Sequence, residues 1–188
     1  MKRYFTLFCF LLYSLITFSQ ENNFNITVTV KGMENKIGIL AYYYGDKRFV
    51  KDTLQFDAKG IASIKGKKNI AEGVYLVAFP SMRYNSFDII LKETGFSLST
   101  DTTNFIKNMV IKNSLENKQM YEDMNFMMPL GLKNDSLQKK LKISEKNSAE
   151  YKSLSSEIEG ISKEIVAHRK SLMKKYPGTF YSKLLNAM

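Results

Sequence analysis

The first half of the chain alternates between apolar and polar positions in short runs. Phe24 to Val30 is apolar at every second residue, which is the period of a half-buried strand. Val74 to Phe79 is apolar throughout and is followed by Pro80, as is typical of a fully buried strand. We predict seven or eight short strands, at 24–30, 37–44, 48–56, 61–65, 74–79, 87–91, 96–99 and 109–111.

Turn-forming residues separate these runs. Asp57-Ala58-Lys59-Gly60 predicts a tight connection, in which Gly60 is free to adopt a positive φ. We expect the strand at 61–65 to return as the partner of the strand at 48–56. Short antiparallel strands with closely spaced turns favour a β-sandwich or an open barrel. With the helical segment that follows, the predicted fold class is mainly β and α+β overall.

The pattern becomes helical after Asn113. Ser114 is suited to cap a helix from Leu115 to about Met128, which we expect to end before Pro129. Asp135-Ser136 predicts the start of a short second helix. The sequence therefore predicts a helical segment made of several separate helices.

A longer helix is predicted to begin at Asn147, and it carries an apolar stripe. We call this stripe the seam. Its members recur at spacings of three and four and span about three heptads: Tyr151, Leu154, Ile158, Ile161, Ile165, His168 and Leu172. We expect the seam to pack on the helix that begins at Leu115, where methionines at 120, 124, 127 and 128 would fill the interface. The alternative is a homodimer through the helix at 151–172.

The N-terminus has the features of a secretory signal peptide. Basic residues at 2 and 3 precede an apolar run from Tyr4 to Phe18, and the small residues Thr17 and Ser19 precede a cut before Gln20. The run is too short to span a bilayer, so we expect no transmembrane span after cleavage. The predicted location is the periplasm or cell envelope of a Gram-negative-type bacterium. The predicted divisions are a signal peptide at 1–19, a β-domain at 20–113 and a helical segment at 114–188.

Charge and cysteine content exclude several classes of function. The net charge is +10, but the lysines are spread along the chain and no segment is dense in arginine, so we expect no nucleic-acid partner. The single cysteine, Cys9, lies in the predicted signal peptide. The mature chain therefore lacks the Cys-x-x-Cys that a thioredoxin-type enzyme requires.

We identify no catalytic constellation, and we predict no catalytic, cofactor-binding or metal-binding residues and no enzyme activity. His168 is the only histidine, and one imidazole cannot build a metal site; its place in the seam favours a packing role. Tyr42-Tyr43-Tyr44 could form an aromatic sugar platform, but strand geometry favours burial of one face. Paired-carboxylate chemistry is the remaining option, and the spacing singles out no pair among its candidates: Asp46, Asp52, Asp57, Asp88 and Glu93.

Four stretches carry a family resemblance, at 39–47, 51–53, 56–60 and 73–77. On the basis of these stretches, residues 24–113 resemble the small N-terminal β-domain (DUF4369-like, of unassigned function) of envelope thiol-disulfide oxidoreductases. These are the thioredoxin-like proteins of the TlpA/ResA/AhpC-TSA type. The helical tail, including Tyr176-Pro177-Gly178-Thr179-Phe180, is similar to the linker that leads into their redox domain.

The resemblance implies a function for the chain. The thioredoxin-like domain is absent from it, so no catalytic residue carries over, and we expect a fragment or one part of a split protein. The chain is then a non-catalytic N-terminal accessory or interaction module, and its partner is a thioredoxin-like domain in cis or in trans. The alternative is a free-standing envelope binding protein that recognises a glycan, a peptide or a membrane surface.

Overall fold

The computed structural model describes residues 24–66, 71–83 and 85–187. The predicted signal peptide at 1–19 lies outside them. A 3₁₀ turn occupies Pro80–Met82. The strands are β1 Phe24–Lys31, β2 Ile37–Tyr44, β3 Lys47–Gln55, β4 Ile61–Gly66, β5 Gly73–Phe79, β6 Asn85–Leu91, β7 Ser97–Asp101 and β8 Val110–Lys112. The helices are α1 Leu115–Ile143, α2 Ala149–Lys175 and α3 Phe180–Ala187.

The eight strands form two sheets of four. Sheet 1 has the order β4-β1-β7-β8, and sheet 2 has the order β3-β2-β5-β6. The two sheets are not closed into a barrel, so the predicted α+β class with a β-sandwich is confirmed. One pairing departs from the antiparallel expectation, because β1 and β7 run parallel. A parallel pair needs a long crossover, and here the strands of sheet 2 supply it.

The predicted pairing of the fourth strand is wrong. β4 pairs with β1, with Ile26 opposite Ile64, and it lies in the other sheet from β3. The tight turn forms as expected, since Gly60 has a φ of +70° and its N–H donates to the Asp57 carbonyl over 3.0 Å. The chain changes sheets at this turn because Leu54 of β3 and Ile64 of β4 enter one core from opposite sides.

The core lies between the two sheets. Sheet 1 contributes residues such as Val28 and Leu98, and sheet 2 contributes Leu40 and Val77, all fully buried or nearly so. Aromatic rings fill its centre, since Phe79 lies 5.2 Å from Phe105 and 5.8 Å from Phe87 between ring centroids. This packing accounts for the stability of a sandwich that has no disulfide.

The first helix does not end before Pro129. α1 is one helix of 29 residues that absorbs both the predicted first helix and the short helix expected at Asp135-Ser136. Proline removes one backbone hydrogen bond. Apolar contacts with α2 hold the helix together beyond that point, through Leu130, Leu137 and Leu141.

The helix caps are largely as the sequence indicates. Ser114 caps α1, since its hydroxyl accepts from the Asn117 N–H over 3.1 Å. The cap of α2 is Ser148, whose hydroxyl accepts from the Tyr151 N–H over 3.1 Å. The predicted start at Asn147 is therefore wrong by one residue, because Asn147 takes a left-handed φ of +68° ahead of the cap.

The seam of α2 faces α1. Leu154, Ile161 and Leu172 are buried, while Tyr151, Ile158, Ile165 and His168 are half-buried. Leu172 packs in a cluster with Met120 and Tyr176 beside sheet 2, whereas Leu154 and Ile161 pack only with residues of the two helices.

Of the helices in the described part of the chain, none is both long enough and apolar enough to cross a membrane.

Candidate functional site

The outer face of sheet 2 is only partly covered by the helices. Ile90 of β6 and Val74 of β5 pack under α1 and α3, in the cluster that contains Met120 and Leu185. The remainder of this face carries a separate apolar cluster from β2 and β5. We call it the apolar strip, and its members are Ile39, Ala41, Leu76 and Ala78.

A shallow cavity of about 190 Å³ opens over the apolar strip. Its remaining wall comes from β3, where Arg48, Phe49 and Val50 line it. Val50 is 67% exposed, although it is a large apolar side chain. β3 pairs with β2 and with no other strand of the described residues, so the cavity lies beside an edge of the sheet. Exposed apolar surface next to a strand edge is typical of a protein-docking surface.

Polar side chains of β2, β3 and β6 border the strip. The Tyr43 hydroxyl donates to Asp88 Oδ1 over 3.2 Å, and the Arg48 guanidinium lies 5.6 Å from the centroid of the Tyr43 ring. Burial raises the pKa of Asp88, and burial together with the neighbouring Asp88 raises the pKa of Tyr43. This border offers a partner one cation and hydrogen-bonding groups.

The candidate carboxylates do not come together in one site, and two of them accept hydrogen bonds from nearby backbone N–H groups. Glu93 accepts from the N–H groups of Leu115 and Glu116 at the start of α1, over 2.7 and 3.1 Å. Asp57 accepts from the N–H of Ile61 and of Lys59, and these bonds lower its pKa. The others lie apart: Asp46 in the β2–β3 turn, Asp52 in β3, and Asp88 beside Tyr43.

The three consecutive tyrosines lie at the end of β2. Tyr42 packs on the core and stacks on Phe49 at 5.7 Å between centroids. Tyr43 and Tyr44 are exposed, and the Tyr44 ring lies 6.4 Å from Phe49. One face of this stretch is therefore core, as expected, and the other faces solvent.

The described sandwich and the start of α1 coincide with a known family. Residues 24–120 match the model of a domain of unknown function, DUF4369. The chain belongs to the DUF4369 family. No curated protein matches the chain. Of solved structures, the crystal structure of (S)-allantoin synthase matches with 12% identity and a TM-score of 0.34, over 55% of this chain and 47% of that one. The chain thus spans about half of that protein, and a match this weak transfers no activity.

The DUF4369 match includes the start of α1. In the structure, side chains of this part of the helix hydrogen-bond the backbone of β6. The Asn117 side chain accepts from the Ile90 N–H over 2.8 Å and donates to the Ile90 carbonyl over 2.9 Å. It thereby pairs with the edge of β6 as another strand would. One turn further along α1, Tyr121 donates its hydroxyl to the Asp88 carbonyl over 2.9 Å. Sheet 2 is completed by side chains of this helix.

A buried polar cluster lies just beyond the DUF4369 match, and the sequence analysis did not identify it. Asp123 of α1 is 2% exposed and accepts from the Tyr181 hydroxyl of α3 over 2.9 Å. From α2, His168 Nε2 lies 3.3 Å from one carboxylate oxygen and Arg169 Nε lies 3.6 Å from the other. His168 also stacks on Phe126, with centroids 3.7 Å apart. The cluster connects all three helices.

The cluster around Asp123 and the neighbouring Glu116 both hold α3 in place through hydrogen bonds. Burial raises the pKa of Tyr181, and Asp123 raises it further, so its hydroxyl remains a donor. Glu116 accepts from the N–H groups of Phe180 and Tyr181 over 2.8 and 2.9 Å, which caps α3. Within residues 24–66, 71–83 and 85–187, no three His, Cys, Asp or Glu side chains are grouped to hold a metal ion.

Proposed function

We propose that the chain is a non-catalytic accessory module of an exported thiol-disulfide oxidoreductase-like protein. Its partner is a thioredoxin-like domain, in cis or in trans, which docks on the apolar strip. The observation that carries this proposal is that the cavity over the buried apolar strip is walled by two exposed apolar side chains of edge strand β3, Phe49 and Val50.

Two features support a docking role over a catalytic one. The cavity over the strip has Arg48 as its one charged side chain, and the rest of its lining is apolar. The tail helix α3 is fixed to α1 by the bonds from Glu116, so the surface beside the strip is built on ordered elements. Rigid apolar surfaces bind partners with a small entropic cost.

The experiment is a binding titration with the exported thioredoxin-like domain encoded in cis or beside this gene. Val50→Asp places a charge at the cavity wall, and we expect it to weaken binding about tenfold or more. The matched control is Val110→Asp, because Val110 is also an exposed valine in an edge strand but belongs to sheet 1. Equal affinity of both variants and the wild type would show that the strip is not the docking surface.

A second candidate function is a free-standing envelope binding protein, and the exposed Tyr44 beside Phe49 favours it. Exposed aromatic rings stack on sugar faces as well as on apolar side chains. Tyr44→Ala separates the two functions. It should abolish binding of an envelope polysaccharide under the second, and leave the thioredoxin-like partner bound under the first.

A further inference from the structure

The helices extend away from the sandwich as an arm. Met124 is the last residue of α1 in the cluster beside sheet 2. From there α1 continues to Ile143 with contacts to α2, through the cluster that contains Leu137 and Leu154. At about 1.5 Å per residue, this part of α1 extends roughly 28 Å. The arm tip, residues 139–146, is the end of α1 and the following turn.

An apolar side chain projects at the arm tip. Ile143 is the last residue of α1 and is 87% exposed, the highest value among the large apolar residues in the described part of the chain. Leu137 and Leu141 of the same helix pack against the seam of α2. The packing between the helices therefore does not use Ile143.

The arm tip is strongly basic. It contains Lys139, Lys140, Lys142 and Lys146, and one acid, Glu145. The ion pairs formed among the described residues involve none of these four lysines. Lys140 and Lys142 lie in the last turn of α1, where cations also favour the helix dipole. That effect accounts for two of the lysines and not for the exposed isoleucine.

We propose that the arm tip binds the surface of an anionic phospholipid bilayer. The lysines would lie among the headgroups and Ile143 would enter the interface, as in interfacial helices that combine basic and apolar side chains. The tip presents this chemistry at the exposed end of a helix, whereas the partner of the apolar strip meets a cavity. The inference rests on the proposed envelope location, but not on the docking of a thioredoxin-like domain.

The first experiment is co-sedimentation of the exported protein with vesicles. Vesicles of phosphatidylglycerol and phosphatidylcholine should bind it, pure phosphatidylcholine vesicles should not, and binding should fall as salt rises. We expect Ile143→Ser, and a triple exchange of Lys139, Lys140 and Lys142 to Gln, each to weaken binding about tenfold or more. Leu132→Ser is the control, because Leu132 is 69% exposed on α1 away from the tip.

The second experiment locates the contact. An environment-sensitive fluorophore is attached at Ile143→Cys or at Leu132→Cys, each in a Cys9→Ser background. The proposal requires a blue shift at position 143 with anionic vesicles and none at position 132. Binding without a shift at 143 would overturn it, as would equal binding of wild type and tip variants. Binding to dextran sulfate together with no binding to anionic vesicles would indicate an acidic-polymer site instead, which also overturns it.

Discussion

At the scale of single residues, buried polar side chains join the helices to the DUF4369 domain. Asn117 pairs with the backbone of β6, Glu116 caps α3, and Asp123 connects α1 to α2 and α3. A buried polar group without its partner is costly, typically by about 1–3 kcal/mol. These residues therefore fix where each helix lies as well as adding stability.

Asp123→Asn tests the buried cluster. The change leaves Arg169 and the Tyr181 hydroxyl facing a neutral amide in a buried site. Removing one partner of a buried ion pair costs several kcal/mol, and the Arg169 side chain is 28% exposed, so we expect a loss of about 2 kcal/mol in unfolding free energy. Denaturant unfolding followed by circular dichroism measures it.

The control for Asp123→Asn is Glu159→Gln. Glu159 pairs with Lys163 over 2.7 Å on the exposed surface of α2 and should contribute no measurable stability. If both variants unfold at the same denaturant concentration as the wild type, the cluster around Asp123 does not hold the helices together.

The sequence could not reveal these residues as buried. Asp123 and Asn117 occupy helical positions beside charged neighbours, where such residues are ordinarily solvated. Their partners lie 27 residues away in the case of Ile90 and 58 in the case of Tyr181. Periodicity reports which face of a helix is apolar, but it does not report which distant backbone group a polar side chain meets.

At the scale of elements, local pattern was sufficient to predict all eight strands, because alternation and turn residues are properties of short segments. The local pattern gave the wrong result where a contact between distant parts of the chain determines how far a helix runs or which strand pairs with which. Pro129 remains inside α1 because α2 packs on the residues that follow it, and β4 joins β1 because the turn at 57–60 carries the chain across the core.

Ile161→Asp tests the contact between α1 and α2. Ile161 is 5% exposed among Leu137, Leu154 and their neighbours, so an unpaired carboxylate there should cost about 3 kcal/mol or more. We expect the loss to appear in the arm, as a lower midpoint of helix melting at 222 nm and faster amide exchange in residues 130–165.

Val166→Asp is the matched control for Ile161→Asp. Val166 is a β-branched residue on the same helix and is 50% exposed, so its replacement should leave the melting midpoint nearly unchanged. An Ile161→Asp variant that melts as the wild type does would show that the seam is a solvated face. Sedimentation at several concentrations would detect a dimer formed through the same helix.

At the scale of the whole molecule, the absence of a thiol in the predicted mature chain sets a functional expectation. A methionine thioether cannot exchange with a disulfide, so the predicted mature chain should not reduce insulin in the presence of dithiothreitol beyond the blank. The control is the same assay with the proposed thioredoxin-like partner added. Turnover by the chain alone, free of contaminants, would contradict the accessory role.

The candidate site became visible only at this scale. The residues of the apolar strip are ordinary strand residues in sequence, and β2 and β5 are adjacent in space but not along the chain. Phe49 and Val50 beside the strip stay exposed because Asn117 and Glu116 fix α1 and α3 over Ile90 at the other side of sheet 2. Periodicity therefore predicts the strands but does not predict which part of sheet 2 the helices leave open.

The pairing of Asn117 with β6 has a consequence for the folding of the protein. Until α1 docks, the edge of β6 at Ile90 lacks its hydrogen-bonding partner, and strand edges in that state recruit other chains. A sandwich that forms before α1 docks is therefore aggregation-prone. A chain cut between the last strand and the first helix would keep that edge permanently open.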